Sequence, residues 1–256
     1  MPFDPASVQS QLAALVARHG RPGRAWVAFS GGRDSTVLLD LAVGLAPQLG
    51  IRVAAAHVHH GLQVEADAWA THCRAVAAEL GVDCRVLAVD VDRDGPDGLE
   101  AAARHARYAA LGSLLDEADW LMTAHHRDDQ AETVLLNLMR GAGPRGLRGA
   151  AGSRRLGRGR LVRPLLDVAA TDIEARAAER GLRWIEDPSN LDTGRDRNFL
   201  RREILPRLSG RWPAAARQLA RSAARATEAA LVLDEVAAAD LAGAGRPGRL
   251  DLAALG

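Results

Sequence analysis

Short runs of apolar and β-branched residues alternate along the first two thirds of the chain with longer stretches whose apolar positions recur every three or four residues. Runs of the first kind predict β-strands, and stretches of the second kind predict amphipathic helices. The predicted strands are 25–29, 53–57, 85–89, 120–124 and 161–165, and the predicted helices between them are 36–45, 66–80, 99–115 and 129–139. Alternating strands and helices predict an α/β fold, an open doubly wound parallel sheet with helices on both faces.

The pattern changes after the last predicted strand. A helix is predicted over 171–180, followed by a turn-rich segment at 186–190, a segment at 195–208 and an alanine-rich helix over 213–241. A boundary near 209–212 gives two domains, 1–210 with the sheet and 211–256 as a small helical domain. The glycine-rich stretch 243–248 predicts a linker, and the apolar stretch 250–255 predicts the opening of another element. The chain is therefore expected to be truncated at its C-terminus.

Composition restricts the chemistry, because the chain contains no lysine and all 33 basic residues in the Lys+Arg count are arginine. This excludes a Walker A loop, a kinase-type lysine and a Schiff-base lysine. The two cysteines, Cys73 and Cys84, do not have zinc-finger or redox spacing, so we expect both to be reduced. The sequence has neither a membrane-length apolar run nor a signal-peptide pattern, which predicts a cytoplasmic protein without a membrane partner.

The positive charge is concentrated, although the formal net charge is only +1. The segment 140–163 contains eight arginines, many glycines and no acid, and it predicts a mobile polycationic loop that suits a polyanion such as ATP phosphate or an RNA backbone. A solvated basic loop without a partner is the alternative. Arginines also recur every four residues in the alanine-rich helix and would form one positive face. The arginines expected to contact RNA are Arg140, Arg145, Arg148, Arg154, Arg155, Arg158, Arg160, Arg217, Arg221 and Arg225.

The sharpest motif is a glycine-rich loop between the first predicted strand and its helix, formed by Ser30, Gly31, Gly32, Arg33, Asp34 and Ser35. Paired glycines let the backbone approach a ligand, the hydroxyls add donors, and the helix start offers free N–H groups and a positive dipole end. The loop therefore predicts a phosphate cradle without a lysine. Asp34 would repel phosphate unless a divalent cation lies between them, so Asp34 is the Mg²⁺ candidate. A serine-capped tight turn is the alternative.

Three carboxylates follow the fourth predicted strand, where ligands bind in doubly wound sheets. They are Asp128, Asp129 and Glu132, and the last two share one helix face because they are three residues apart. Carboxylates beside a phosphate site suggest a metal or a cationic substrate, and the alternative is that they only complement the helix dipole. The neighbouring His125 and His126 are candidates for a general base or a contact to the purine base, and buried hydrogen-bonded histidines are the alternative.

Further motifs, in order, narrow the interpretation. They are HVHHGL at 57–62, EAAAR at 100–104, RY at 107–108, TAHHRDDQAET at 123–133, the glycine-rich 141–149, RPLL at 163–166, WIEDPSN at 184–190 and RNFLR at 197–201. With the SGGRDS loop, they resemble the tRNA(Ile)-lysidine synthase family of PP-loop (N-type) ATP pyrophosphatases over roughly residues 20–240.

The resemblance implies an adenine-nucleotide α-hydrolase-like sheet followed by a helical domain. It also implies a ligase that uses ATP and Mg²⁺ to activate the wobble cytidine of an isoleucine tRNA with a CAU anticodon, and then adds free L-lysine. Carried onto this chain, the implied catalytic residues are Asp34, Arg104, Asp129 and Glu132. The ATP-binding residues are the SGGRDS loop and His57, and the substrate-binding residues are His59, Arg107, His125, Asp128, Asp129 and Glu132.

Two other interpretations stay open at this stage. One is another PP-loop enzyme, such as a tRNA thiolase or an amidotransferase-type synthetase (a GMP or NAD synthetase), although a cytidine thiolase would be expected to have paired cysteines. The other is a non-catalytic adenine-nucleotide or RNA-binding module, which would not need Asp34 together with the three later carboxylates. The sequence also leaves open a homodimer.

Overall fold

Helices and strands alternate in the computed structural model, which describes residues 4–92 and 98–243 and the backbone of 245–246 and 249–250. In chain order the elements are α1 (Pro5–His19), β1 (Ala25–Ala28), α2 (Arg33–Leu49), β2 (Val53–His59), α3 (Ala66–Glu79), β3 (Cys84–Ala88), α4 (Leu99–Ser113), β4 (Trp120–Met122), α5 (Arg127–Met139), a 3₁₀ turn (Gly146–Arg148), β5 (Ser153–Leu156), β6 (Gly159–Val162), α6 (Ala170–Glu179), a 3₁₀ turn (Pro188–Leu191), α7 (Asp196–Phe199), a π-helical turn (Leu200–Ile204), α8 (Leu205–Arg211), α9 (Ala215–Gly243), β7 (Gly245–Arg246) and β8 (Arg249–Leu250).

The first six strands form one sheet in the order β3-β2-β1-β4-β6-β5. All neighbouring pairs are parallel except β5 and β6, which form an antiparallel hairpin at the edge. The strand order reverses between β1 and β4, and the carboxyl ends of these two strands are where a doubly wound sheet binds its ligand. The predicted fold class, an open doubly wound α/β sheet followed by helices, is confirmed.

Alternation along the central strands explains the two layers of core. Val27 in β1 and Met122 in β4 are fully buried with residues of α1, α2 and α6. Their chain neighbours Trp26 and Leu121 point to the opposite face and pack with residues of α4. Side chains of consecutive strand residues alternate between faces, so a strand covered by helices on both sides is apolar throughout.

The segment 140–163 is not the polycationic loop that its composition predicted. It contains a 3₁₀ turn and the β5–β6 hairpin, and this hairpin extends the sheet by a strand that the sequence pattern did not predict. The last parallel strand ends at Val162, three residues before the predicted end, and Pro164 lacks the N–H that a continuing strand would need. Both arginines of β5, Arg154 and Arg155, are exposed. For this reason β5 does not show the alternation of apolar and polar residues that predicts a strand.

By contacts, the chain divides into two compact units. The first consists of Met1–Arg127 and Ala151–Leu191 and contains the whole six-stranded sheet. The second consists of Asp128–Ala150 and Asp192–Gly256 and is helical, with α5 grouped with the C-terminal helices. The predicted domains, 1–210 and 211–256, follow the chain order instead and stay a prediction.

The ends of the chain differ from the sequence pattern in two places. Helix α1 was not predicted. Its N-cap residue is Asp4, whose side chain accepts a hydrogen bond from the Ala6 N–H at 2.9 Å. The predicted linker at 243–248 contains β7, which pairs with β8 in a short antiparallel ladder. Most of the predicted element at 250–255 lies outside the described residues. Among the described helices, none is both long and apolar enough to cross a membrane.

Candidate functional site at the carboxyl edge of the sheet

The SGGRDS loop leads from β1 directly into α2. Gly32 is the N-cap residue of α2, and the hydroxyls of Ser35 and Thr36 donate to its carbonyl at 2.9 and 3.0 Å. The Ser30 hydroxyl lies 3.1 Å from that of Ser35 and accepts from the Gly32 N–H at 3.3 Å. Because the first N–H groups of a helix have no intrahelical partner, the loop has the geometry of an anion-binding helix start.

Gly31 is the residue that allows this loop to close. Its φ is +83°, which side chains disfavour, and a Cβ at this position would lie 2.7 Å from Ile185 Cδ1 and 2.9 Å from Cys73 Sγ. The Ile185 N–H also donates to the Gly31 carbonyl at 2.8 Å. The WIEDPSN segment therefore holds the loop from outside the sheet, which the sequence motif alone did not indicate.

His57, predicted to bind ATP, is buried at the base of the loop. Its Nδ1 donates to the Phe29 carbonyl at 2.9 Å and lies 3.3 Å from Cys73 Sγ. Burial lowers the pKa of His57, although its bond to Phe29 acts in the opposite direction. Burial also raises the pKa of the Cys73 thiol to about 12. Cys73 and Cys84 are both free thiols, as expected from their spacing.

Asp34, the predicted metal ligand, lies in the first turn of α2 between His126 and Arg33. Its Oδ2 is 3.5 Å from His126 Nε2, and its Oδ1 is 3.2 Å from Arg33 Nε. Burial raises the pKa of Asp34, but His126 and Arg33 lower it more, so the pKa of this carboxyl group lies below its usual value. His126 follows β4, so this pair joins the two loops at the point where the strand order reverses.

The donors present at this edge are compatible with Mg²⁺ held mainly by phosphate. Among the described residues there is no group of three His, Cys, Asp or Glu side chains that could hold a metal ion. Mg²⁺ is commonly bound by one or two carboxylates, with water and substrate phosphates as the other ligands. Asp34, one carboxylate beside a predicted phosphate cradle, has the donor that such a site needs.

Other predicted residues of the first unit lie after neighbouring strands. His59, at the end of β2, places Nε2 3.0 Å from the Asp67 carboxylate. His125, after β4, places Nδ1 2.9 Å from the Thr123 hydroxyl. Arg104 and Arg107 lie on α4, with guanidinium carbons 5.1 and 5.6 Å from the centroid of the Tyr108 ring.

The later carboxylates belong to the second unit, where they contact arginines that the sequence analysis did not single out. The Glu132 side chain is fully buried, and Arg201 donates to both its oxygens at 2.6 and 3.1 Å. Arg201 also donates to Asp129 at 2.9 Å, and Arg197 Nε lies 3.7 Å from Glu132. Asp129 and Glu132 therefore share one cation, as their spacing on α5 allows, and Asp128 precedes them in the same turn.

Burial raises the pKa of Glu132, and the hydrogen bonds and charges of Arg201 and Arg197 reverse only part of that effect. Arg201 lies in the π-helical turn 200–204 that interrupts the helical segment. Such turns often occur at functional sites. The RNFLR motif is the sequence signal that could have identified Arg197 and Arg201 as partners of Glu132. It puts these two arginines four residues apart, on one helix face.

The arginines predicted to contact RNA are distributed over both units. In the second unit, Arg145 and Arg148 form ion pairs with Asp234, Arg140 lies 3.8 Å from Asp196, and Arg217, Arg221 and Arg225 are exposed on α9. In the first unit, Arg154, Arg155, Arg158 and Arg160 lie on the β5–β6 hairpin. Arg155 is directly opposite Arg160, and like charges in that position are destabilising unless an anion lies nearby.

The sheet is open and doubly wound, and its first strand enters a helix through a glycine-rich loop. This loop lies where the strand order reverses. These features define a class of α/β proteins that bind a ligand at this edge of the sheet. The sequence model of the family described as "PP-loop domain" matches residues 5–208. The chain belongs to this PP-loop domain family, as its motifs predicted.

Curated relatives match most of the chain. It is 56% identical over 240 residues to the tRNA(Ile)-lysidine synthase of Alkalilimnicola ehrlichii, a match that covers 94% of this chain and 53% of the relative. It is 53% identical over 242 residues to that of Pseudomonas fluorescens, again covering 94% of this chain and 53% of the relative. The chain thus spans about half the length of these relatives.

A solved structure has the same fold. It is the U34-tRNA thiolase NcsA from Methanococcus maripaludis with its [4Fe-4S] cluster, which superposes with a TM-score of 0.71 at 18% identity and covers 88% of this chain and 78% of that one. At this identity the likeness concerns the fold alone.

Proposed function

We propose that this chain catalyses the lysidine synthase reaction, in which ATP activates the wobble cytidine of an isoleucine tRNA and L-lysine replaces its C2 oxygen. The observation that carries the proposal is the identity of 56% over 94% of the chain to a curated tRNA(Ile)-lysidine synthase. The chain has the SGGRDS loop and the other motifs on which the resemblance rests.

ATP is held by the SGGRDS loop, with its phosphates at the N-terminus of α2. Supporting this assignment are the unpaired N–H groups of the helix start and the Ser30 and Ser35 hydroxyls beside them. His57 contributes by fixing the backbone at Phe29, to which it is hydrogen-bonded. Asp34 would hold Mg²⁺, which would neutralise phosphate charge in place of a lysine.

In the first chemical step the C2 carbonyl oxygen of the cytidine attacks the α-phosphorus, and pyrophosphate leaves from the opposite side. This displacement requires in-line positioning and compensation of the negative charge on the leaving group. Arg33 and Arg104 are the cations assigned to that charge. His59, Arg107 and His125 are assigned to the cytidine, because each lies on an element that ends at, or begins from, the carboxyl edge of the sheet.

In the second step the lysine amine attacks C2, the C2–O bond breaks, AMP leaves with that oxygen, and the nitrogen loses a proton. Asp129 and Glu132, with Asp128, are assigned to the lysine substrate. The support is that the Arg201 guanidinium already contacts both Asp129 and Glu132. A lysine ammonium has the same charge and hydrogen-bonding needs, and it would replace or join this arginine.

The tRNA is bound through its phosphate backbone by the arginines of the 140–163 segment and of α9. Phosphate contacts position a nucleic acid and base contacts select it, so these residues supply affinity while the pocket near His57 and His59 selects the cytidine. The proposed place of reaction is the cytoplasm, and a homodimer remains a prediction that sedimentation would test.

The deciding experiment supplies ATP, labelled lysine and an isoleucine tRNA with a CAU anticodon. We expect AMP, pyrophosphate and label in the tRNA, and no label in a tRNA with a uridine at the wobble position. Accumulation of ADP and phosphate would contradict the pyrophosphatase assignment. Pyrophosphate release without lysine incorporation would favour another PP-loop enzyme, and the absence of ATP cleavage would favour a nucleotide-binding module.

A further inference from the structure

Three arginines from separate elements of the first unit surround Tyr108 on α4. The guanidinium carbons of Arg104 and Arg154 lie 5.1 and 5.4 Å from the centroid of its ring. The Arg163 guanidinium donates to the carbonyl of Ala151, and its interaction with Tyr108 raises the pKa of Arg163. The three cations come from α4, from β5 and from the residue that follows β6, so only the folded sheet brings them together.

The charge of this cluster is not neutralised by a carboxylate of the described part of the chain. Among the residues that the structure describes, none forms an ion pair with Arg104, Arg154 or Arg163, and Arg163 is only 6% exposed. The buried Nε of Arg163 has no hydrogen-bond partner there. Burial lowers the pKa of Arg163, its contact with Tyr108 opposes this, and the charges of Arg154 and Arg104 lower it further. A buried cation among cations is costly unless an anion compensates it.

We infer that Arg104, Arg154 and Arg163 form a phosphate-binding site, with Tyr108 as the residue that positions their guanidinium groups. A phosphate presents several charged acceptor oxygens, which match planar guanidinium donors approaching from different directions. The ring of Tyr108 positions Arg104 and Arg154 by cation–π contact, with Arg107 also beside it at 5.6 Å, and we assign its hydroxyl to Arg163.

This site is separate from the SGGRDS loop. Arg163 follows β6, and β4 lies between β6 and β1 in the sheet, so the two carboxyl ends are roughly 10 Å apart at the usual strand spacing. A groove of about 540 Å³ begins beside Tyr108 and Arg154 and continues to the ion pair of Arg158 with Asp116. An RNA backbone phosphate and a terminal phosphate of a nucleotide share the required chemistry. The choice between these two sources rests on the proposed function. The phosphate site itself is inferred from the structure and does not depend on that function.

The first test measures binding of inorganic phosphate, as the rise in melting temperature when phosphate replaces chloride at constant ionic strength. Arg154→Met should weaken the apparent phosphate affinity by about tenfold or more, since hydrogen bonds to charged groups are strong. Arg18→Met is the matched control, because Arg18 carries the same charge, is exposed on α1 and is assigned to neither ATP nor RNA.

Tyr108→Phe keeps the ring and removes the hydroxyl, so it should weaken phosphate binding while leaving the melting temperature in chloride close to that of the wild type. A role for Tyr108 in packing alone would change both measurements together or neither. If Arg154→Met responds to phosphate as the wild type and Arg18→Met do, the inference is wrong.

The second test identifies the source of the phosphate by comparing Arg154→Met with Arg18→Met for two probes, because Arg18 lies outside the proposed RNA contacts. A loss of affinity confined to an anticodon stem-loop RNA assigns the site to the RNA backbone, and a loss confined to ATP and pyrophosphate assigns it to the nucleotide. Equal affinities of the two variants for both probes would overturn the inference. Because none of these titrations measures lysine transfer, failure of the proposed reaction would not be mistaken for failure of the phosphate site.

Discussion

Asp34 and Glu132 are both acids beside arginines, yet their surroundings affect them in opposite directions. Asp34 is one-third exposed at its side chain, and the effects of His126 and Arg33 on its pKa outweigh that of burial. Glu132 has no exposed surface, and its burial prevails over two arginines. A carboxylate kept charged suits a cation beside phosphate, whereas the charge of a buried carboxylate such as Glu132 is stabilised by the cations in contact with it.

Asp34→Asn should reduce pyrophosphate release by at least about 10²-fold, since it removes the charge assigned to metal binding. The melting temperature should change little, because the side chain lies at the start of α2 and is one-third exposed. Pyrophosphate release under saturating ATP is the measurement.

Glu174→Gln is the control for this variant, because Glu174 also approaches Arg33, at 3.6 Å, but is largely exposed. It should keep wild-type turnover. Wild-type turnover in Asp34→Asn would remove Asp34 from the mechanism.

Glu132→Gln should change the pH dependence of stability. The folded pKa of Glu132 lies above its usual value of 4.5, so the folded state holds its proton more tightly than the unfolded chain does. Its contribution is therefore complete below 4.5 and is lost as pH rises through the folded pKa. Denaturant titrations should show the wild type losing stability relative to the glutamine variant over that window. A stability advantage of the wild type that grows with pH would mean that the arginines outweigh burial.

At the scale of elements, the loop after β1 depends on a segment far along the chain. Ile185 donates to the Gly31 carbonyl, and its side chain fills the space where a Cβ would project from Gly31. The glycine pattern predicted the turn, but not what packs against it, because contacts between residues so distant in sequence leave no local periodicity.

Gly31→Ala should therefore impair both folding and ATP binding. A side chain at φ +83° is strained, and its Cβ would lie 2.7 Å from Ile185 Cδ1, so we expect a loss of about 1–3 kcal/mol together with weaker ATP affinity. Denaturant unfolding and ATP titration measure the two effects.

Gly61→Ala separates strain from crowding, because Gly61 also has a positive φ, +62°, but no described atom lies within 4 Å of the position that a Cβ would take there. It should lose less stability than Gly31→Ala and keep its ATP affinity. Equal effects of the two changes would show that contact with Ile185 contributes nothing.

At the scale of the whole molecule, charge is distributed so that a nearly neutral protein carries strongly basic segments. The formal net charge is +1, whereas the segment 140–163 has eight arginines and no acid. Several of these arginines contact carboxylates elsewhere in the chain, including Asp116, Asp196 and Asp234. Among the described residues, the arginines of this segment without such a partner are Arg163 and those of the β5–β6 hairpin other than Arg158.

The affinity for tRNA should fall steeply with salt. A variant with Arg154, Arg155, Arg158 and Arg160 changed to alanine should have a smaller slope, by roughly 0.7–0.9 for each phosphate that is no longer bound. The decrease in affinity should be similar for cognate and non-cognate tRNAs, because interactions with the backbone carry little sequence information. Filter binding across a salt series measures both.

The control removes the same charge from exposed arginines outside these segments, Arg18, Arg21, Arg74 and Arg85. Its salt slope should match that of the wild type. If both quadruple variants lower the slope equally, net charge alone explains the effect, and an unchanged slope in the hairpin variant would make the hairpin a bystander.

The sequence by itself determined the alternation of strands and helices, the doubly wound fold class, the phosphate-type loop and the pair Asp129 and Glu132, because each depends on local periodicity or on residues adjacent in the chain. Only the tertiary structure decided that Arg201 forms ion pairs with both carboxylates of that pair. It also decided that His126 contacts Asp34 and that Arg154 and Arg163 both lie beside Tyr108. It also replaced the predicted loop by the β5–β6 hairpin. The physical reason is common to these cases: strand pairing and charge pairing between distant segments depend on which surfaces the folded sheet brings together, and no local pattern records that choice.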